Sequence, residues 1–377
     1  MNAPSPAATV GLVLEPLDLL FFRDGRPFGA GTRHESCLPL PQTLHGAVCT
    51  ALLQKYGCQF DTLVKAAREV SPHEAIRSAC TDAPWIAEVT VRGPWLARVA
   101  AKTQELEVLA PVPAILRRPK KARTGRLLRL SPIPAASLPG WRESVEAAHA
   151  GLNPLWQRAH GATEMATGFL TLRGLETFLH GEGVPDTELL DAASLLGYDR
   201  RTGIEVAADQ RTARPGASYG LGWLVLRSGV SLYAEVVVPG AHAKDAFSGI
   251  ETLAIGGEGR RVAVRPVSPV LWPTCPPQRN GKPLLMLTTP ALFDAGWKPR
   301  CLEVQLVAAA VPGPLSVSGW DLARAGPKPA RFAVAAGSVY FLATLPDPLP
   351  ESISDHEEDR QKGWGAFVIG NWSEESP

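Results

Sequence analysis

Residues 14–57 read LEPLDLLFFRDGRPFGAGTRHESCLPLPQTLHGAVCTALLQKYG, and the fold turns on how this stretch divides. The apolar run Leu17-Asp18-Leu19-Leu20-Phe21-Phe22 predicts a strand largely buried on both faces. It ends in Arg23-Asp24-Gly25-Arg26, and Asp-Gly is the dipeptide that best tolerates the positive φ angles of a tight hairpin turn. Two arginines thus flank a predicted turn tip, and Pro27 breaks the return strand. A helix follows. Leu44, Ala47, Val48, Ala51 and Leu52 recur at i, i+3, i+4, i+7 and i+8, which makes one apolar face. Pro41 suits the first turn, where a missing N–H costs nothing, and Gly57 stands where the chain leaves the helix. The free amides of a helix start favour an anion, and Arg23, Arg26, Arg33 and His34 lie just upstream. Strand, basic loop and helix start fit a cradle for a phosphate backbone. They also fit a surface hairpin with solvated arginines.

Working outward, Asp61 to Ala79 predicts a second, more polar helix. Pro84-Trp85 and Pro94-Trp95 open short extended segments, and Glu107 to Leu116 reads as a strand interrupted by Pro111 and Pro113. The strongest local charge signal is RRPKKARTGRLLR, residues 117–129, with seven basic residues and no acidic one. A packed core cannot absorb that density, so the segment is expected to be an exposed arm or hairpin that is either solvated or in contact with a polyanion. Trp141 to His149 predicts a short helix and Thr163 to Leu179 another. Ala217 to Leu226 and Ser231 to Val238 read as strands that form either a hairpin or a domain junction. Gly220-x-Gly222 is no dinucleotide fingerprint, because no helix follows it; close backbone packing explains it. Ala241 to Leu253 predicts a short helix. Val262 to Val267, Leu284 to Thr288 and Cys301 to Val311 are further strands, and Arg331 to Leu342 is a hairpin-like pair. Glu351 to Asp359 reads as an exposed acidic loop. The glycines of Gly363-Trp364-Gly365-Ala366-Phe367-Val368-Ile369-Gly370 permit a tight loop that lets another backbone approach.

The totals set bounds. The 377 residues suffice for two domains with full cores, and 45% apolar with 20% charged residues marks a globular chain. A net charge of +1 neither demands nor excludes a polyanionic partner, so a local patch would have to supply the attraction. The 35 glycines and 35 prolines spread along the chain and suggest many turns. No signal peptide is visible at the start, no apolar run is long enough to span a bilayer, and cytoplasmic residence is the default expectation. Six cysteines without a C-x-x-C pair make a zinc site or a disulfide framework improbable, and Cys49 and Cys301 read as core thiols. No H-E-x-x-H, P-loop, EF-hand or G-x-S-x-G motif occurs. The order strand, helix, two strands, helix, strand, followed by a noisier version of the same, is an α+β pattern of split βαβ type, ferredoxin-like, with no repeat visible residue by residue.

Six stretches then carry a resemblance: LDLLFFRDGRPF (17–28), LPLPQTLHGAV (38–48), RTGIEVAADQRTARPGASY (201–219), LAIGGEGRRVAV (253–264), GWDLARAGPKPARFAVAAGSVYFL (319–342) and GWGAFVIG (363–370). The chain resembles the Cmr-type RAMP proteins of type III-B CRISPR effector complexes, and within them the subunit that holds the 5′ end of the guide RNA. Residues 60–160 match poorly. The resemblance implies two ferredoxin-like (RRM-like, RAMP) domains in tandem with long loop insertions. We place them at 1–228, with a basic insertion near 117–129, and at 229–377, with a glycine-rich loop. It implies no cofactor. As partners it implies the crRNA 5′ handle, the large polymerase-like subunit and the first backbone RAMP subunit. In that family the backbone subunits cut the target RNA and the large subunit makes the signalling nucleotide.

The expected site follows. Arg23, Arg26, Arg33 and His34, with the helix start at Gln42 and Thr43, would hold the handle, and Phe28 would stack on a base. Arg260 and Arg261, with Gly363, Gly365 and Gly370, would form a second approach to phosphates. Arg117, Arg118, Lys120, Lys121, Arg123, Arg126 and Arg129 would reach guide, target RNA or the large subunit. A second reading is a metal-independent endoribonuclease that processes the guide precursor, with His34 and His45 as acid and base. A third is a protein scaffold that uses exposed tryptophans such as Trp320 and Trp364.

Overall fold

The computed structural model describes residues 7–23, 32–100, 105–120, 125–138, 140, 151–158, 161–207, 209, 211–275, 281–321 and 323–373. The predicted Asp24-Gly25 turn, Arg26, Phe28, Lys121, Arg123 and the predicted helix at 141–149 lie outside these residues. The architecture is mixed α+β, rich in sheet and with few helices.

Strand β1, Ala7–Pro16, organises the first sheet. Leu12 and Leu14 face one side and Val13 the other, all three buried, as strand alternation requires. Helix α1, Pro41–Lys55, covers the Leu12 and Leu14 side and buries Leu44, Val48 and Leu52 there. Each such side chain contributes about 2 kcal/mol of transfer free energy. Pro41 is in the first turn and Gly57 takes φ +67° just past the helix, as the sequence predicts. Eight strands make the sheet, in the order Leu189–Leu190, Phe169–Leu170, β4 (Leu106–Pro111), β3 (Thr90–Val99), Val230–Pro239, β1, Arg261–Val267 and Thr252–Ala254. In chain order, β1, β3, Val230–Pro239 and Arg261–Val267 lie across the sheet as 2-3-1-4, each antiparallel to its neighbour.

A second sheet repeats this order. Lys282–Leu287, Leu306–Ala310, Val339–Leu342 and Phe367–Trp372 also lie as 2-3-1-4 with antiparallel neighbours. The first two strands of each sheet are parallel with one strand between them, so each needs a crossover. Helix α1 supplies it in the first sheet; in the second a loop with a single 3₁₀ turn, Arg300–Leu302, does so.

Several expectations are corrected. Residues 17–22 are not a strand: Pro16 ends the β1 ladder, and the apolar run folds over the sheet end as a plug that makes an isolated β-bridge, Leu20 to Leu224. Leu20, Phe21 and Phe22 are buried, but by tertiary packing rather than by ladder hydrogen bonds. Asp61–Ala79 is two helices, α2 (Phe60–Ala66) and α3 (Pro72–Ala79), because Ser71 and Glu74 close a reciprocal capping box and Pro72 starts a new first turn. Pro84–Glu88 is a 3₁₀ helix rather than extended chain. The helix predicted from Thr163 begins only at Leu172 (α4, Leu172–Leu179), capped by the Thr171 hydroxyl, and Gly168 at φ +117° breaks the chain before it. Ala241–Leu253 holds one 3₁₀ turn, Gly240–His242. Arg331–Val334 and Val339–Leu342 do not pair with each other; the first pairs with Pro314–Val317 and the second is central in the second sheet.

Strand pairing runs across residue 228. Ala213–Leu226 belongs to a separate three-stranded sheet, whereas Val230–Pro239 lies between β1 and β3. A cut at 228/229 would remove that strand from the first sheet, which is complete only at Val267; the second sheet starts at Lys282. Residues 351–359 are not a solvated loop, since Ile353 and Asp359 are buried and Asp359 binds Arg331 through two hydrogen bonds of 2.9 and 2.7 Å. Trp364 is fully buried and Cys301 is exposed, the reverse of their expected places.

Candidate nucleic-acid interface

The plug gathers the first part of the site. The Phe22 amide donates to Ser36 Oγ (2.8 Å), and the Cys37 amide donates to the Phe22 carbonyl (3.3 Å). Exposed Arg23 therefore emerges beside strand β2, Arg33–Glu35. Strand β2 pairs in parallel with Gly220–Gly222 of a long antiparallel ribbon, Leu196–Val206 with Ala213–Leu226. The glycines there allow the approach: a Cβ at Gly220 would lie 2.9 Å from the Arg33 side chain, and one at Gly222 would lie 3.1 Å from that of Glu35. Close backbone packing, as read from Gly220-x-Gly222, is what the strand shows.

Alternation on β2 turns Arg33 and Glu35 outward and His34 inward, where it is 7% exposed. The ribbon adds cations that the sequence reading did not assign to the site. Arg200 pairs with Glu35 (2.6 Å), Arg201 with Asp199 (2.7 Å) and Arg214 with Glu205 (2.6 Å), all on exposed surface. Exposed pairs of this kind are worth about 0–1 kcal/mol, so a phosphate can displace the carboxylate cheaply. Their signal was present in residues 199–214, but the acids between them made the segment look neutral.

The Gly256–Arg261 loop closes the other side of the plug. The Gly257 amide donates to the Phe21 carbonyl (2.9 Å), and Phe21 packs on Trp223 with ring centroids 5.0 Å apart. Arg260 does not reach outward as expected. Its guanidinium lies 4.3 Å above the Trp223 ring and pairs with Asp18, whose carboxyl is held below its usual range by the Leu19 amide and by Arg260. Arg261 is exposed and bonds Thr252.

The start of α1 is engaged by the second half of the chain. Leu40 offers no side-chain cap, and the Thr43 amide returns to the Leu40 carbonyl (2.9 Å). Gln42 donates to the Ser318 carbonyl (2.8 Å) and so holds the hairpin of Pro314–Val317 and Arg331–Val334 over the helix start. Leu40 packs there with buried Trp364, Val317 and Ala333.

The remaining predicted residues sit elsewhere. Gly363 (φ +91°) and Gly365 (φ +78°) do allow a close backbone approach, but the backbone is this chain's own: Cβ atoms there would lie 2.3 Å from the Val91 carbonyl oxygen and 2.6 Å from the Ser354 amide. Gly370 is packed in the same way, on Leu179. The basic run is not a free arm over its described part. Strand β5, Leu116–Pro119, lies between Leu128–Arg129 and Thr163–Met165. Arg117 and Arg118 are half-buried there, and Asp191 lies 3.9 Å from Arg118, so an acid is nearby after all. Arg129 is a structural pin that stacks 4.6 Å from the Phe178 ring and donates to the carbonyls of Phe178 and Asn371, both at 2.9 Å. Lys120 and Arg126 remain exposed.

His45 sits against Cys49, with ring nitrogens 3.6 and 3.8 Å from the thiol. Desolvation, with Lys362 nearby, pushes its pKa down to about 4, and burial pushes the Cys49 thiol up to about 12. A histidine depressed from 6.5 to about 4 binds its proton less readily in the folded state. Its stability contribution is therefore complete above about pH 6.5 and is lost as pH falls toward 4, by up to about 3 kcal/mol. Urea unfolding of the wild type should show this extra loss between pH 7 and 4, and the His45→Gln variant should lack it. Parallel curves for the two proteins would mean that His45 does not titrate in that window.

Among the described residues no group of three or more His, Cys, Asp or Glu side chains is placed to hold a metal ion, and no helix is long and apolar enough to cross a membrane. The family model of the CRISPR-associated protein Cas_Cmr3 matches residues 12–372. The chain belongs to the Cas_Cmr3 family. It is also similar in structure to a chain of the type III-B Cmr-beta complex bound to cognate target RNA. That match has 15% identity and a TM-score of 0.49, and covers 88% of this chain and 86% of that one. The same complex with target RNA and AMPPnP gives 15% identity, a TM-score of 0.48 and coverage of 88% and 86%. A Csm1-Csm4 cassette in complex with pppApA gives 13% identity, a TM-score of 0.33 and coverage of 89% and 87%. No curated protein matches the chain in sequence.

Proposed function

We propose that this chain is the non-catalytic crRNA-binding subunit of a type III-B CRISPR RNA-targeting complex of the cytoplasm. In this reading it holds the crRNA 5′ handle and docks the large polymerase-like subunit onto the first backbone RAMP subunit, close to the target RNA. The observation that carries the reading is the family match over residues 12–372 together with the cationic margin of the plug, Arg23, Arg33 and the ribbon arginines. The shared 2-3-1-4 strand order supports reading both sheets as ferredoxin-like domains.

Catalysis of guide processing through His34 and His45 finds little support. An acid–base pair needs both groups open to the RNA and near their working pKa. His34 faces inward, and His45 is pushed down to about 4 beside an unreactive thiol. The test is a nuclease footprint of the full chain on guide RNA that carries its 5′ handle. Protection of the handle with no new cut is the expected result. A clean, divalent-independent cut that disappears in the His34→Ala/His45→Ala variant would establish the enzyme instead.

A further inference from the structure

The hairpin over the helix start carries two large aromatic side chains that are mostly exposed among the described residues. Trp320 is 61% exposed and Phe332 is 65% exposed. They lie on opposite strands of one ribbon, in which Trp320–Asp321 pairs with Gly326–Pro327 and Pro314–Val317 pairs with Arg331–Val334. On that strand Arg331 and Phe332 are exposed while Ala333 and Val334 are buried, and Arg331 is tied down by Asp359. The ribbon is held in place rather than hanging free. Gln42 bonds the Ser318 carbonyl, and Arg68 Nε donates to the Ala323 carbonyl (2.7 Å). Trp320 lies four residues beyond Ser316, which pairs with Phe332, so about 13 Å of extended chain separates the two positions along the ribbon.

We infer that this ribbon is a base-stacking platform for single-stranded RNA, in which Trp320 and Phe332 each take one base; the inference rests on the RNA-binding reading above. Charge decides between RNA and a protein partner. Residues 318–332 carry Arg324 and Lys328, with Arg331 already paired to Asp359, against one acid, Asp321. The Asp321 carboxylate is already occupied by the amides of Ala323 (3.0 Å) and Arg324 (3.2 Å). The Lys328 stem lies along Gly319, 3.6 Å from where its Cβ would stand, and its charge reaches His45 at the start of α1. Aromatic faces among cations, beside a helix start, are what a single-stranded polyanion with exposed bases requires. The contact is sequence-tolerant, because every base has a π-face.

The test uses the full-length chain and a fluorescein-labelled single-stranded RNA titrated over a range of KCl. Trp320→Ala and Phe332→Ala should each weaken binding by about five- to a hundredfold. The slope of log affinity against log salt should not change, because stacking releases no counterions. Trp320→Phe and Phe332→Tyr should bind like the wild type, and an oligomer whose bases are replaced by abasic sites should not distinguish wild type from either alanine variant. Unchanged affinity of both alanine variants for an RNA that the wild type binds would overturn the platform. If those variants instead lost association with a protein subunit, the ribbon would be a protein-docking face and the inference equally overturned. A wild type that bound no RNA would fail the underlying reading and the platform with it.

Discussion

Gly363→Ala should unfold this protein at a temperature about 4 °C or more below the wild type. Two costs combine at that position. The backbone takes φ +91°, which L side chains rarely adopt, and the added Cβ would stand 2.3 Å from the Val91 carbonyl oxygen on β3. That neighbour is the backbone of a paired strand, so it cannot swing aside as a side chain could. The segment is also fixed from its other side. The Thr289 hydroxyl donates to the Gly363 carbonyl (2.7 Å), the Trp364 amide donates to the Asp359 carbonyl (3.1 Å), and Gln361 donates to the Ala87 carbonyl (2.6 Å). Gly363 therefore sits where the second half of the chain presses on the first sheet. We expect a loss of about 3 kcal/mol or more, in the range of strained or overpacked sites. Gly259→Ala is the control: φ is +64° there but the space is open, so only the conformational cost of about 1–2 kcal/mol should appear. A Gly363→Ala protein with wild-type stability and weakened RNA binding would return that glycine to the RNA contact it was first assigned.

The glycine-rich segment shows what a sequence displays and what it hides. That residues 363–370 admit a close backbone neighbour was legible, because positive φ and a missing Cβ are properties of glycine itself. Which backbone approaches was not, because Val91 lies 272 positions earlier and only the tertiary fold brings it there. Helix α1 was legible almost to the residue: its apolar face, Pro41 and Gly57 are all local signals. The plug was misread because a six-residue apolar run with Phe-Phe at its end satisfies a buried strand and a core insertion equally. The ladder partner decides between them, and Pro16 had already ended the ladder.

The same holds for the cations. Seven basic residues in 117–129 looked like a polyanion site, yet Arg129 spends its guanidinium on two carbonyls and a phenyl ring. Arg260, expected at the phosphates, is stacked on Trp223 and paired with Asp18. Arg33 kept its expected exposure because strand alternation forces it outward once His34 faces in. Charge density predicts where cations are, whereas burial and hydrogen bonding predict which of them are left for a ligand.

Arg23, Arg26 and Arg33 are the cations on which the RNA-binding account leans most heavily. On single strands each phosphate neutralised contributes a slope of about −0.7 to log affinity against log salt. Three lost contacts should flatten the slope by about 2, which at 0.1 M salt corresponds to roughly a hundredfold weaker binding. Arg129 and Arg260, already engaged within the fold, should leave the slope unchanged when replaced, while lowering stability. The decisive measurement is therefore the salt dependence of guide RNA binding by the full chain and by its Arg23→Ala/Arg26→Ala/Arg33→Ala variant. The account predicts a steep slope for the wild type and one flatter by about 2 for the variant. Identical slopes and affinities for the two proteins would contradict it.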